Sequence, residues 1–105
     1  MAVIDPQLHA LARAADQQAR NVLAYAAVTL DLRSRQLSVL RNTYPGWRIE
    51  YEPDSAGRMW WTSRLLPQFT LEMSVAGVLR FIRQPDAIAL ASMLAWQTAL
   101  VHSAS

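Results

Sequence analysis

The chain has 105 residues, the length of a single domain, and its lack of cysteine excludes disulfides and thiolate metal sites. Hydrophobic residues make up 52% and charged ones 17%, more apolar surface than so small a body readily hides, so self-association, most simply as a homodimer, is expected. The ten basic residues, all arginine, against eight acids leave a formal charge of +2, a weak pull on polyanions.

The start, MAVIDPQ, lacks the basic and apolar regions of a secretory leader, and no run approaches the roughly 20 apolar residues of a membrane span. A cytoplasmic protein with no membrane contact is expected. Asp5-Pro6 reads as a helix start, an N-cap oxygen before a ring preorganised for the first helical position. Neither Gly nor Pro then occurs until Pro45. Apolar residues recur at Leu8, Leu11, Ala15, Ala19, Val22, Ala26, Leu30, Leu37 and Leu40, at spacings of three and four once Arg33 is counted as a polar intruder. From Leu8 to Leu30 the mean spacing is close to the 3.67 of an eleven-residue repeat, so a strong left-handed coiled coil is not expected.

A continuous helix from Pro6 to Asn42 would be about 55 Å long. It either breaks near Thr29-Leu30-Asp31 and Arg33-Ser34, the weakest helix formers in the run, or finds a partner, such as a second chain running antiparallel. The unbroken helix is the expectation, with a helical hairpin over residues 5–42 as the alternative. The small residues Ala15, Ala19 and Ala26 permit close approach of another helix. Leu11, Ala15, Ala19, Val22, Leu23, Ala26 and Leu30 are therefore the candidate interface, for a second copy or for a partner protein.

Over residues 47–52, Trp47, Ile49 and Tyr51 alternate with Arg48, Glu50 and Glu52, the period of a strand with one buried face. Pro53-Asp54-Ser55-Ala56-Gly57 gathers turn-forming residues, and a second aromatic run from Met59 to Leu65 completes an antiparallel hairpin. In that register Met59, Trp61, Ser63 and Leu65 share one face with the core, and Trp60, Thr62 and Arg64 share the other. Thr70 caps a short helical turn that Gly77 ends, Val78 to Arg83 reads as a third strand, and Asp86 caps a final helix to about His102. That helix is apolar nearly all round, with only Ser92, Gln97 and Thr98 as a polar face, and calls for cover on both sides. The fold expected is α+β: a long N-terminal helix, a three-stranded antiparallel sheet and a C-terminal helix packed on it, one domain over residues 1–105.

The run PGW-x-I, then GR-x-WW-x-x-R, then AGV-x-x-F and a helix ending in LA-x-Q resembles a set of small proteins from high-GC actinobacteria, over Tyr44 to Gln97. The resemblance implies a sheet-and-helix module and carries no assigned activity. Thr62 stands where that pattern has a small Ala, and Met59 is an unusual spacer. A high-GC genome also accounts for the exclusive use of arginine.

Chemistry is sparse. His9 and His102 have no acid or second histidine at ligand spacing on their own helices, so no metal site is expected. Glu50 and Glu52 beside Arg48 and Arg64 read as a cross-strand salt-bridge ladder rather than an acid/base pair. With no Ser-His-Asp ordering and no Gly-rich phosphate loop, neither an enzyme nor a bound cofactor is expected. The most pointed feature is the second sheet face, where Arg48, Trp60, Thr62, Arg64, Arg80 and Ile82 are expected to project together. Arginines around an aromatic stack bases and pair phosphates. A nucleic-acid-binding or regulatory protein using that face, or Arg33, Arg35 and Arg41, is therefore the alternative to a protein-interaction module.

Overall fold

The structure, a computed structural model, describes residues 6–104, so the Asp5 cap lies outside the described residues. The architecture is α+β: α1 (Pro6–Thr43), β1 (Trp47–Pro53), β2 (Met59–Leu65), α2 (Leu71–Ala76), β3 (Phe81–Gln84) and α3 (Ala87–Ser103). By its internal contacts the chain divides into two compact units, residues 1–34 and 35–105.

In the first unit α1 is helical throughout, across Thr29 and Ser34. Many of its positions are alanine, the best helix former. Thr29 returns its hydroxyl to the Tyr25 carbonyl at 2.9 Å, which satisfies the side chain without leaving the helix. An Arg20–Asp16 ion pair at 2.8 Å and a Gln17–Asn21 hydrogen bond at 3.0 Å add support at the i, i+4 spacing.

The second unit is built on the hairpin. Asp54 Oδ1 accepts from the Ala56 and Arg58 backbone N–H groups at 2.9 and 3.0 Å, and Gly57 takes a φ of 84°, the left-handed conformation that the turn requires. β1 and β2 then pair antiparallel, with Trp47 opposite Leu65, Ile49 opposite Ser63 and Tyr51 opposite Trp61. These residues form one face. Trp47, Ile49 and Trp61 are buried on it with Ile82 of β3 and with Leu40, Leu90 and Leu94 from the helices. The Tyr51 and Trp61 rings meet at 5.1 Å and 45°, a tilted aromatic pair. β1 lies at a sheet edge. Its Ile49 carbonyl accepts from Arg41 Nε at 2.9 Å, while Arg41 Nη2 also reaches Glu50 at 3.0 Å, which blunts the edge against further strand pairing.

α2 follows the sequence reading: the Thr70 side chain accepts from the Met73 N–H, and Gly77 closes the helix at a φ of 91°. α3 likewise starts at Asp86, whose carboxylate accepts from the Ala89 N–H at 2.7 Å. Two expectations require correction. The third strand begins at Phe81, not Val78. The Val78 N–H bonds to the Met73 carbonyl and the Leu79 N–H to Gln97 Oε1, so the chain joins the ladder only where the Arg80 carbonyl accepts from Leu65.

Gln97 is also not on a polar surface. It is fully buried, and it bridges the Leu79 N–H at 2.8 Å and the Gly77 carbonyl at 3.4 Å. The other side of α3 carries Ile88 and Trp96, which are 78% and 56% exposed among the described residues.

Ser63 and Gln97, two of the three buried polar side chains among the described residues, differ in a measurable way. Ser63 Oγ is buried with no hydrogen-bond partner, so Ser63→Ala should leave stability unchanged or slightly raised. Gln97→Leu leaves the Leu79 N–H without its acceptor and should cost about 1–3 kcal/mol. Urea midpoints for the two variants check the contrast, and an equal loss in both would contradict it.

Candidate functional site

Strand alternation brings Arg48, Trp60, Thr62 and Arg64 onto the face of the sheet opposite the core. Arg48 pairs with Arg64, Glu50 with Thr62, and Glu52 with Trp60. The other two residues assigned there, Arg80 and Ile82, do not join them. Because Ile82 sits opposite Ser63 and Arg83 opposite Thr62, the parity of β3 is shifted by one residue: Ile82 is core, at 3% exposure, and Phe81 and Arg83 take the second face. Arg80 precedes the strand and places its guanidinium 4.8 Å from the Phe69 ring.

The face is internally paired. Trp60 donates its indole N–H to Asp54 Oδ2 at 2.8 Å, and the Arg58 and Arg83 guanidinium groups lie 4.3 and 4.4 Å from its ring. Glu52 Oε1 accepts from the Thr62 hydroxyl at 2.8 Å and from Arg64 at 3.0 Å, and Arg64 also lies 4.9 Å from the Phe81 ring. The expected ladder is thus present in part, as Arg64–Glu52, while Glu50 is held by Arg41. A shallow cavity of about 280 Å3 opens among Glu52, Asp54, Trp60, Thr62, Arg64 and Arg83.

Glu52 is held below the ordinary carboxylate range, first by the Thr62 hydroxyl and then by Arg64; Asp54 is lowered chiefly by the Trp60 indole, with the Arg58 and Ala56 N–H groups adding to it. From sequence Asp54 reads only as a turn residue, and nothing in the pattern places Arg58, Phe81 or Arg83 on this face.

The residues of the candidate α1 interface form a second surface. Leu11, Val22, Leu23 and Leu30 are 61–70% exposed and Ala15, Ala19 and Ala26 are exposed with them. Within the second unit, a further apolar cleft of about 270 Å3 lies among Val39, Leu40, Ala87, Ile88 and Ala91. Among the described residues, no group of three or more His, Asp and Glu side chains gathers where a metal ion could be held, and no helix is long and apolar enough to cross a membrane. No family model, no curated protein and no solved structure matches the chain.

The two tryptophans of β2 should separate on truncation. Trp61, at 5% exposure, should cost about 3–5 kcal/mol as Trp61→Ala, and half-buried Trp60 clearly less. Denaturant midpoints decide, and a larger loss at Trp60 would mean that the polar face carries the fold.

The lowered carboxylates predict an acid limb. Groups with folded pKa values below their unfolded ones add stability that is complete above the unfolded value, near 4, and is lost as pH falls through the folded value. The thermal midpoint should hold down to about pH 5 and drop below about pH 4. Glu52→Gln should lower the plateau and flatten that drop; an unchanged acid limb would show that the Thr62–Glu52–Arg64 cluster adds nothing.

Proposed function

We propose that the chain is a small non-enzymatic protein-interaction module that homodimerises or docks a partner protein through the apolar surface of its helices. The observation that carries this reading is the state of the α1 stripe: five large apolar side chains on one side of the helix, Leu8, Leu11, Val22, Leu23 and Leu30, with 61–70% of their surface in solvent. Contiguous apolar surface of this kind marks an interaction site, and a helix without tertiary packing gains little stability from propensity alone. Ile88 and Trp96, exposed on α3, and the cleft beside Ile88 extend the same character to the second unit.

The nucleic-acid alternative draws less support. A base stacking on Trp60 would have to displace the Arg58 or Arg83 guanidinium, and a phosphate approaching Arg64 meets the Glu52 carboxylate already paired to it. Arg41, one of the three basic residues of the helix segment, is engaged by Ile49 and Glu50.

The test uses one substitution at two positions. Ala24 and Ala26 are two residues apart, about 200° around the helix, so only Ala26 lies on the stripe. Ala26→Asp should weaken association about a hundredfold, roughly 2–3 kcal/mol for an unpaired charge in an apolar contact, and Ala24→Asp should not. Mass by light scattering at micromolar concentration reads self-association, and recovery from host extract reads a partner. Equal behaviour of the two variants in both measurements would overturn the proposal.

A further inference from the structure

Resting on the interaction reading of α1, we infer that the occupant of its stripe is a second copy of the same helix, antiparallel, in a register that places Leu11 opposite Leu30 of the other copy. From Leu8 to Arg33 the stripe steps by 3, 4, 4, 3, 4, 4 and 3 residues, the same read from either end, about a midpoint between Arg20 and Asn21. Any periodic stripe has such midpoints, so the spacing alone selects nothing. The side chains select this one. Around it Leu11 meets Leu30, Ala15 meets Ala26 and Ala19 meets Val22, so every central contact has an alanine on at least one side and leucines close both ends. An isologous two-fold pairing needs this self-complementarity, since every contact occurs twice.

Three further features favour the same arrangement. The first is size: burying the exposed leucines, valine and alanines of residues 8–30 on both helices removes on the order of 1,300 Å2 in total, within the roughly 1,200–2,000 Å2 of stable interfaces. The second is charge. Arg33 is the one charged residue on the stripe, and a parallel in-register pair would set it against its own copy, whereas the antiparallel register sets it against Leu8. Antiparallel helices also oppose their macrodipoles. The third is geometry. The three-four-four spacing favours a nearly straight pair over a left-handed supercoil, and central alanines let the axes approach to about 8 Å.

Cysteine pairing tests the register, because the chain has no cysteine of its own. Leu11→Cys and Leu30→Cys replace side chains that are 64% and 61% exposed in the single chain and keep a compact apolar side chain where the proposed pair would bury them, and far-ultraviolet circular dichroism verifies that each variant is folded. Under mild oxidation, mixed Leu11→Cys and Leu30→Cys chains should give a disulfide-linked heterodimer joining residues 11 and 30, and each variant alone should link at least tenfold less. Self-linking of Leu11→Cys would mean a parallel pair, and no linking in any mixture, at a concentration where the native mass is dimeric, would mean another surface. Either outcome overturns this inference while the interaction reading stands. A monomeric native mass also overturns it, and the Ala24 and Ala26 comparison in host extract then decides the broader reading separately.

Discussion

Asp54 fixes the register on which both faces of the sheet depend. One carboxylate oxygen gathers the Ala56 and Arg58 N–H groups and so closes the turn; the other holds the Trp60 indole and so holds the first residues of β2 against it. Side chains alternate strictly along a strand. A slip of one residue would therefore move Trp61 and Ser63 to the outer face and bring Trp60, Thr62 and Arg64 inward. The burial of Arg64 without Glu52 would be far costlier than any gain from Trp60. The turn chemistry and the core pattern thus specify the same pairing, and agreement between local and tertiary preferences is what lets a small core select one structure.

How far the fold was legible follows the range of the interactions that set each element. The hairpin, the Thr70 and Asp86 caps and the Gly77 stop rest on contacts within a few residues, and alternation or capping patterns reveal such contacts directly. The third strand starts later than its pattern suggests because a long-range bond decides it. Gln97, eighteen residues away on α3, takes the Leu79 N–H that a strand starting at Val78 would have offered to β2. From sequence, Val78-Arg80-Ile82 and Leu79-Phe81-Arg83 alternate equally well, so parity could not be read. The same bond explains why Gln97 looked like a surface residue: a lone amide on an apolar helix gives no sign that a loop backbone will meet it inside.

The second sheet face shows what arginine-rich composition does at close quarters. Arg48 stands directly opposite Arg64, a repulsive cross-strand pair. Glu52 relieves it by drawing Arg64 toward its own side, and the Phe81 ring lies beside the same guanidinium. Arg58 and Arg83 lie against Trp60, with the Asp54 carboxylate on its indole. Guanidinium groups suit this role because they are planar and weakly hydrated, and so can rest on an aromatic ring while keeping hydrogen bonds at their edge. Of the recognition face read from sequence, Arg48, Trp60 and Arg64 are present, and the acids and the ring that engage Trp60 and Arg64 come from β1 (Glu52), the turn (Asp54) and β3 (Phe81).

That face and the α1 stripe differ in what a binding partner would have to displace. Binding at the sheet face must first break hydrogen bonds and cation–π contacts that the chain already makes, and each of those has a cost of its own before any ligand contact is gained. Binding at the stripe breaks nothing. Its leucines and valine have no partner within the described residues of the first unit, and the free energy of removing them from water, about 25 cal/mol per Å2, is available in full to whatever covers them. The apolar excess visible in the composition is exposed on both units, on α1 and at Leu71, Val75, Ile88 and Trp96 of the second. On α1 three polar contacts close within the helix, Thr29 to Tyr25, Arg20 to Asp16 and Gln17 to Asn21, so apolar burial of the stripe would compete with none of them.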